Sequence, residues 1–321
     1  MVLTITLNPL LERRYSFLNV KFNSENRTAK KILKAGGKGI NVSRQLNKLG
    51  IENIALTFSG GVNGKLFKEI LRKEGISITD IQINEETRDA AIIIESSTNQ
   101  LSTFFSDNNF VSETEVRLFI AKMERMIATC EIVVFAGSSP CRTTDSIFPK
   151  GIEIANKHDK ISICDTYGTL LQDCINASPT VLHNNTEEIE SSLKIQLKTE
   201  SEKLVFLDTL YSKGIKQVFI TSSNKPFYSS NFDFHYKVTV PKIEVADSTG
   251  SGDSFVAGIA YGWHNKLAFQ EQLALASAIG VCNAKTLDTS SVEKDDVNDM
   301  INLIIIEPVG KKLKIIDDKP D

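Results

Sequence analysis

The stretch "ADSTGSGDSFVAG", residues 246–258, puts Gly250, Ser251 and Gly252 directly before Asp253 and an apolar run that reads as a helix. At a helix start several backbone N–H groups lack an intrahelical partner and carry partial positive charge. Glycine lets that backbone approach a ligand closely. Gly250, Ser251 and Gly252 are therefore a candidate anion hole for phosphate oxygens. Asp253 falls in the first turn of the same helix. A carboxylate there repels a bound phosphate unless it takes the proton of the attacking nucleophile, the task of a base in phosphoryl transfer. A plainer reading has Asp253 complementing the helix dipole. The stretch taken alone fits both.

Other phosphate-binding loops do not match. Phe255 stands where a dinucleotide fingerprint needs its third glycine, and "GGKGIN" (residues 36–41) has no Walker spacing around Lys38. A phosphate site without those loops needs another nest of backbone N–H groups, which the Gly250 turn can supply.

The elements that must hold these residues follow from periodicity. Residues 2–7, "VLTITL", alternate and stop at Asn8-Pro9, as a strand does. "GINVSRQLNKLG" has helical spacing and ends on Gly50. "IALTF", "EIVVFAG", "ISICD" and "QVFITS" read as strands set among the helical segments "KLFKEILRKEG", "ETEVRLFIAKMERMI", "TDSIFPKGIEIANKH" and "SEKLVFLDTLYSKG". Two further helices follow Gly250. Alternation of this kind predicts a doubly wound, mostly parallel sheet with helices on both faces. Strand-like segments without helices interrupt it: "RRYSFLNVKF" and "AKKILKA", then "ITDIQI", "DAAIIIE" and "LSTFF". They predict a small β-sheet lid built from two insertions, about residues 10–34 and 78–110, on a single domain spanning 1–321. "NPLLERRYSFLNVKFNSENR" lacks a helical period and is expected at an exposed lid edge.

Composition narrows the function classes. The chain has 321 residues, 41% hydrophobic and 24% charged, enough to bury a large core without staples. A net charge of −3 gives no strong pull toward nucleic acid or anionic membranes. No run is long enough for a transmembrane helix, and "MVLTITLNPLLERR" lacks a signal-peptide apolar region. Cys130, Cys141, Cys164, Cys174 and Cys282 are scattered and odd in number, so small buried residues in a reducing, cytoplasmic setting are expected. His158, His183, His235 and His264 show no metal spacing, and three of them are expected at the surface.

"AGGKGINVSRQL" (residues 35–46) and "DSTGSGDSFVAGI" (residues 247–259) resemble the two signature motifs of the ribokinase-like, PfkB-type carbohydrate kinases. "TLNP", "NR", "ETR", "GSSP" and "CDT" follow in the order of the 1-phosphofructokinase and tagatose-6-phosphate kinase branch, and the likeness runs from Leu3 to about Asp288. The resemblance implies a doubly wound α/β domain with a β-lid, and transfer of the ATP γ-phosphoryl group to a sugar-phosphate hydroxyl with Mg²⁺. It implies Asp253 as the general base and Gly250, Ser251 and Gly252 as the anion hole. Gly37, Lys38 and Asn41 match sugar-binding positions, Arg88 and Ser138 positions near the substrate's phosphate or hydroxyls, and Arg27 a helper on the lid. Asn185 and Glu188 match the pair that organises Mg²⁺, directly or through water, and their spacing of three predicts one helical face. His183, Asn185, Ser222, Ser223 and Asn283 match nucleotide-binding positions. A homodimer through the lid is a further expectation.

The chain also departs from the family pattern. Glu12 stands where an Asp contacts sugar hydroxyls, one methylene or about 1.5 Å longer. His183 replaces a phosphate-facing Lys, and Ser223 and Pro226 occupy glycine positions in the nucleotide loop. A "PGP" expected ahead of the helix at Glu113 is missing. Two other readings stay open: a kinase of free sugars or nucleosides, in which Lys38 and Arg88 are idle, and a weakly active sugar-phosphate sensor.

Overall fold

The structure, a computed structural model, describes residues 1–27, 29–232 and 234–311. In chain order the elements are β1 (Val2–Thr6), β2 (Leu10–Phe17), β3 (Lys30–Gly36), α1 (Lys38–Lys48), β4 (Asn53–Ser59), α2 (Gly61–Lys73) and β5 (Ile78–Gln82). Next come β6 (Asp89–Glu95), β7 (Gln100–Phe105), α3 (Glu113–Thr129), β8 (Ile132–Ala136), α4 (Ile147–Lys157), β9 (Ile161–Asp165) and α5 (Leu170–Asn176). Then follow β10 (Val181–Asn185), α6 (Thr186–Leu193), α7 (Glu200–Ser212), β11 (Gln217–Thr221), β12 (Phe227–Ser230) and β13 (Phe234–Thr239). Helices α8 (Ser251–His264) and α9 (Phe269–Ala284), a short α10 (Asn298–Ile301) and β14 (Ile305–Lys311) complete the described chain.

A 10-stranded sheet runs β14-β13-β12-β11-β10-β9-β8-β1-β4-β5. From β5 to β11 every neighbouring pair is parallel. The remaining three strands are antiparallel. Strands β1 and β8 are buried along their whole length, as strands covered on both faces must be. Their alternate residues feed opposite cores. Leu3, Ile5, Val133 and Phe135 pack with Phe119 of α3, Phe148 of α4 and Leu207 of α7. Val2, Ile132 and Val134 pack with Leu46 of α1, Val256 of α8 and Ile279 of α9. Helices α8 and α9 cross so closely that a Cβ on Gly258 would lie 2.6 Å from Ala276 Cα. The sequence-predicted doubly wound α/β architecture is the observed one.

Strand order reverses between β1 and β8. Successive strands β1, β4 and β5 run one way and β8, β9, β10 and β11 the other. Open α/β sheets bind ligands at such a switch point, beyond the carboxyl ends of the strands.

A second, four-stranded sheet runs β3-β2-β6-β7. It corrects the sequence reading twice. "ITDIQI", expected in this sheet, supplies β5, the edge strand of the large sheet beside β4. Strand β2, expected at an edge, is internal, with β3 on one side and β6 on the other. An apolar alternation looks the same in either sheet; only partner register decides where it pairs.

Candidate active site

The carboxyl ends of β1, β8, β9, β10 and β11 deliver Asn8, Ser138, Asp165, Asn185 and Thr221 to one rim. Asn8 Nδ2 donates to Ser138 Oγ at 3.3 Å and to Asn108 Oδ1 at 3.0 Å. Gly37 precedes α1 with φ +122°, and a Cβ on it would meet Thr6 Cγ2 at 2.9 Å. Only glycine suits that turn, which sets the start of α1 directly on the end of β1.

The opposite wall is the start of α8. Gly250 has φ +77°, and a Cβ there would lie 2.2 Å from Thr289 Cγ2. Asn283 ties the turn together. Its Nδ2 donates to the Thr249 carbonyl at 2.9 Å and to Ser251 Oγ at 3.1 Å. Its Oδ1 accepts from Ser254 Oγ at 3.2 Å and the Ser290 N–H at 2.6 Å. Asn283 thus acts on the turn from behind. The Ser251 N–H bonds the Ser248 carbonyl at 3.1 Å, so it is spent inside the turn. Gly252 and Asp253, as first-turn residues, keep N–H groups without intrahelical acceptors.

Asp253 is buried. Asn41 Nδ2, from α1 on the first wall, donates to its Oδ2 at 2.7 Å. Burial pushes the Asp253 carboxyl up to about 6, with Asp165 and Glu188 adding to the rise and Lys38 and Asn41 opposing it. A buried carboxyl at that level is ionised near neutral pH and still basic enough to accept a proton.

Lys38 links the walls. Its Nζ lies 2.8 Å from Glu188 Oε1 and 3.2 Å from Asp165 Oδ1, and 4.9 Å from the centre of the Tyr167 ring. Burial alone would lower the Lys38 ammonium, but Asp165, Glu188 and Asp253 outweigh it and raise it. Burial alone would raise Asp165, but Lys38 and His183 hold it at about 2. Asp165 Oδ2 is buried without a hydrogen-bond partner among the described residues.

Arg88 stands differently. It is half-buried, and its guanidinium donates to the carbonyls of Pro9 at 3.4 Å and Asn8 at 3.3 Å and to Asn108 Oδ1 at 3.1 Å. Every one of these acceptors is neutral, whereas Lys38 faces two carboxylates. Glu12, in β2, comes against Gly36, where a Cβ would lie 2.5 Å from Glu12 Oε1. Burial raises its carboxyl, against Arg14, Arg44 and Lys34.

The other sequence-predicted residues are placed as follows. Asn185 caps α6: its Oδ1 accepts the Glu188 N–H at 2.8 Å, and Glu188 Oε2 accepts the Asn185 N–H at 3.0 Å. The spacing of three is therefore a capping box rather than two residues on one helical face, and it aims Glu188 Oε1 at Lys38. His183 is 2% exposed, its Nδ1 3.3 Å from Asp165 Oδ1 and its Nε2 3.2 Å from Thr221 Oγ1. It lies beneath Gly252, whose Cβ would be 3.4 Å from His183 Cε1. Ser222 and Ser223 form a tight turn after β11, closed by the Lys225 N–H on the Ser222 carbonyl at 2.8 Å. Ser223 takes φ +33°, a conformation that suits the glycine expected there. Arg27 is on the exposed turn between β2 and β3, its guanidinium on Glu25. His235, expected at the surface, is buried, its Nε2 2.8 Å from Oδ1 of the exposed Asp208.

Asp165, Tyr167 and Asn8 belong to the cluster but were not singled out in the sequence. Two signals pointed to them: "CDT" and "TLNP" each end a buried strand of the parallel sheet, where sites form. Among the described residues no group of three or more His, Cys, Asp or Glu side chains is arranged to hold a metal by itself.

Comparison with known proteins agrees with this architecture. The family model described as pfkB family carbohydrate kinase matches residues 2–295. A Thermotoga maritima structure described as a possible 1-phosphofructokinase is similar at 23% identity and a TM-score of 0.86, covering 96% of this chain and 99% of its own. Escherichia coli phosphofructokinase-2 in complex with fructose-6-phosphate is similar at 20% identity and a TM-score of 0.83, covering 94% and 98%. The tetrameric inhibited form of that enzyme is similar at 19% identity and a TM-score of 0.85, covering 94% and 98%.

Proposed function

The chain belongs to the pfkB family of carbohydrate kinases, and from that premise we propose that it is an ATP-dependent hexose-phosphate kinase of the 1-phosphofructokinase and tagatose-6-phosphate kinase type. The observation that carries the substrate class is Arg88. A half-buried guanidinium whose partners among the described residues are neutral oxygens and the Phe105 ring, 5.6 Å from its centre, favours an anion, and here it stands beside Asn8 and Ser138 at the switch point. The substrate's own phosphate meets that need. The free-sugar reading leaves the charge unused.

Chemistry follows from the two walls. Asp253 accepts the proton of the sugar hydroxyl as its oxygen forms a bond to the γ-phosphorus. The bond from that phosphorus to the β–γ bridging oxygen breaks, and ADP leaves with the bridging oxygen. The N–H groups of Gly252 and Asp253 meet the charge on the transferring oxygens. Lys38, central among Asp165, Glu188 and Asp253, offsets part of their negative charge beside the transferring group. Ser222, Ser223 and the Asn283-braced turn form the nucleotide side. Mg²⁺ fits the residues present. Such an ion is commonly held by one or two carboxylates together with phosphates; here Glu188 and Asp165 Oδ2, which has no hydrogen-bond partner among the described residues, would supply hard oxygens, with Asn185 capping the helix that carries Glu188. When bound it supplies neutralisation of phosphate charge.

We read the four-stranded sheet as the lid and as the contact for a second copy of the chain. The test of function is an ATP-consumption screen over fructose 1-phosphate, fructose 6-phosphate, tagatose 6-phosphate and the free sugars. Turnover confined to phosphorylated sugars is expected. Turnover of free sugars at equal kcat/KM overturns the substrate class, and sugar-phosphate binding with no turnover supports the sensor reading instead.

A further inference from the structure

We propose that Arg44, which lies within residues 35–46 but has been given no role above, is a positioning residue that fixes the Asn41 side chain so that it can serve the base. The inference rests on the kinase reading of the site. Asn41 has two ends of similar shape, a carbonyl oxygen that accepts and an amide nitrogen that donates. Its Oδ1 takes a hydrogen bond from Arg44 Nη1 at 2.8 Å, and its Nδ2 gives one to Asp253 Oδ2 at 2.7 Å. A guanidinium has donors only. Arg44 therefore requires the oxygen on its own side and leaves the nitrogen facing Asp253. Turning the amide over would set an oxygen against the carboxylate and N–H groups against the guanidinium.

Arg44 is itself anchored from two further sides. Its Nη2 donates to the Ala35 carbonyl, at the end of β3, at 2.6 Å, and its Nε to Glu74 Oε2, just after α2, at 2.9 Å. Its side chain is 13% exposed. Three donors on three elements leave the guanidinium little freedom, and that order passes to Asn41 and then to the base. Without Arg44 the turned-over amide loses its opponent, and the base spends time against an acceptor.

The test compares kcat and the KM for ATP in wild type, Arg44→Met, Arg44→Lys, Glu74→Gln, Asn41→Ala and the Arg44→Met/Asn41→Ala double variant. Arg44→Met should lose about 10- to 100-fold in kcat, the scale of a misplaced catalytic group, with the KM for ATP unchanged. Arg44→Lys keeps one donor and should recover part of the loss. Glu74→Gln removes the charge but keeps a side-chain oxygen to accept from Arg44 Nε, so the anchor and the Arg44–Asn41 bond persist and kcat should stay near wild type. The double variant should be no slower than Asn41→Ala. Wild-type kcat in Arg44→Met, additive losses in the double variant, or an equal loss in Glu74→Gln would each overturn the assignment. If Arg44→Met does not fold, Arg44→Lys in the wild-type and Asn41→Ala backgrounds decides by the same non-additivity. A wild type without phosphotransfer, or Asp253→Asn with undiminished kcat, instead removes the kinase reading.

Discussion

At the scale of single residues, Asp253 carries opposite consequences for rate and for stability. Its carboxyl, raised from 3.8 to about 6 by burial, is ionised for catalysis only above that range. The kcat/KM for sugar phosphate should therefore fall as pH drops through about 6; a profile flat from pH 8 to 5 would remove the assignment. Folding favours the protonated form of this group. The cost of its charge is thus present above about 6 and vanishes as pH falls toward 3.8. Asp253→Asn should accordingly abolish most of kcat, about 10²–10⁴-fold, while gaining up to about 3 kcal/mol of stability at pH 8. Thermal unfolding should show the gain shrinking by pH 5. Asp165, held at about 2, has the opposite sign: its contribution is present above 3.8 and lost as pH falls toward 2. A second prediction concerns Arg88. Arg88→Ala should weaken sugar-phosphate binding by about 2–3 kcal/mol, a charge-assisted hydrogen bond's worth, and spare ATP; calorimetric titration of each ligand separates the two. Asp253, Asn41 and Lys38 were legible as positions because glycines stand beside or near them, and Arg88 because "ETR" falls in the order of a known pattern. His183 was legible as a position but not as a contact. Sequence cannot show that an in-strand ring is turned into Phe255, 5.1 Å between ring centres, with both nitrogens held by Asp165 and Thr221.

Among the elements, the turn before α8 is the least replaceable. Gly250 and Gly50 have nearly the same backbone, φ +77° and +73°, but only Gly250 has a neighbour where a Cβ would go. Gly50→Ala should cost about 1 kcal/mol of stability, the left-handed backbone penalty alone, and leave kcat unchanged. Gly250→Ala should cost more than that and lower kcat, because Thr289 or the turn itself must shift. Equal stability losses with unchanged kcat in both would show that the turn does not serve the chemistry. Most helices and parallel strands were readable from period alone. Strand β5 was not, because its pattern of half-buried residues suits either sheet. The Asn185–Glu188 pair was misread for a related reason: a spacing of three is the signature of a capping box as much as of a helical face. Strands β12 and β13 follow β11 with no helix between them, and β14 returns antiparallel to β13 after α10, so the α/β alternation announces none of the three.

On the scale of the whole molecule, the small sheet leaves an apolar face open. Pairing places Glu12 opposite Lys34 and Ala90, and Ala90 opposite Phe105. Arg14 lies opposite Ile32, and Leu101 opposite Ile94, at even steps along the same strands. Ile32, Leu101 and Phe105 therefore share the face of Glu12 and Arg14, and they are 41%, 38% and 62% exposed. Ile32 sits on one outer strand and Leu101 and Phe105 on the other, so exposed apolar side chains span this face, the kind of surface at which a protein contact is expected. A dimer is expected by analytical ultracentrifugation, with the Ile32→Glu/Leu101→Glu variant monomeric; a monomeric wild type at assay concentration sinks the idea. Periodicity announced this sheet but not which of its faces would be left without cover. The Asn41–Asp253 bond has a different consequence. It joins positions 212 residues apart, and the turn beside it is braced by Asn283, Thr289 and Ser290. During translation Asn41 is therefore made 212 residues before Asp253. On the kinase reading, a growing chain on the ribosome holds the Asn41 wall long before it gains the proposed base, and it cannot turn over nucleotide in the interval.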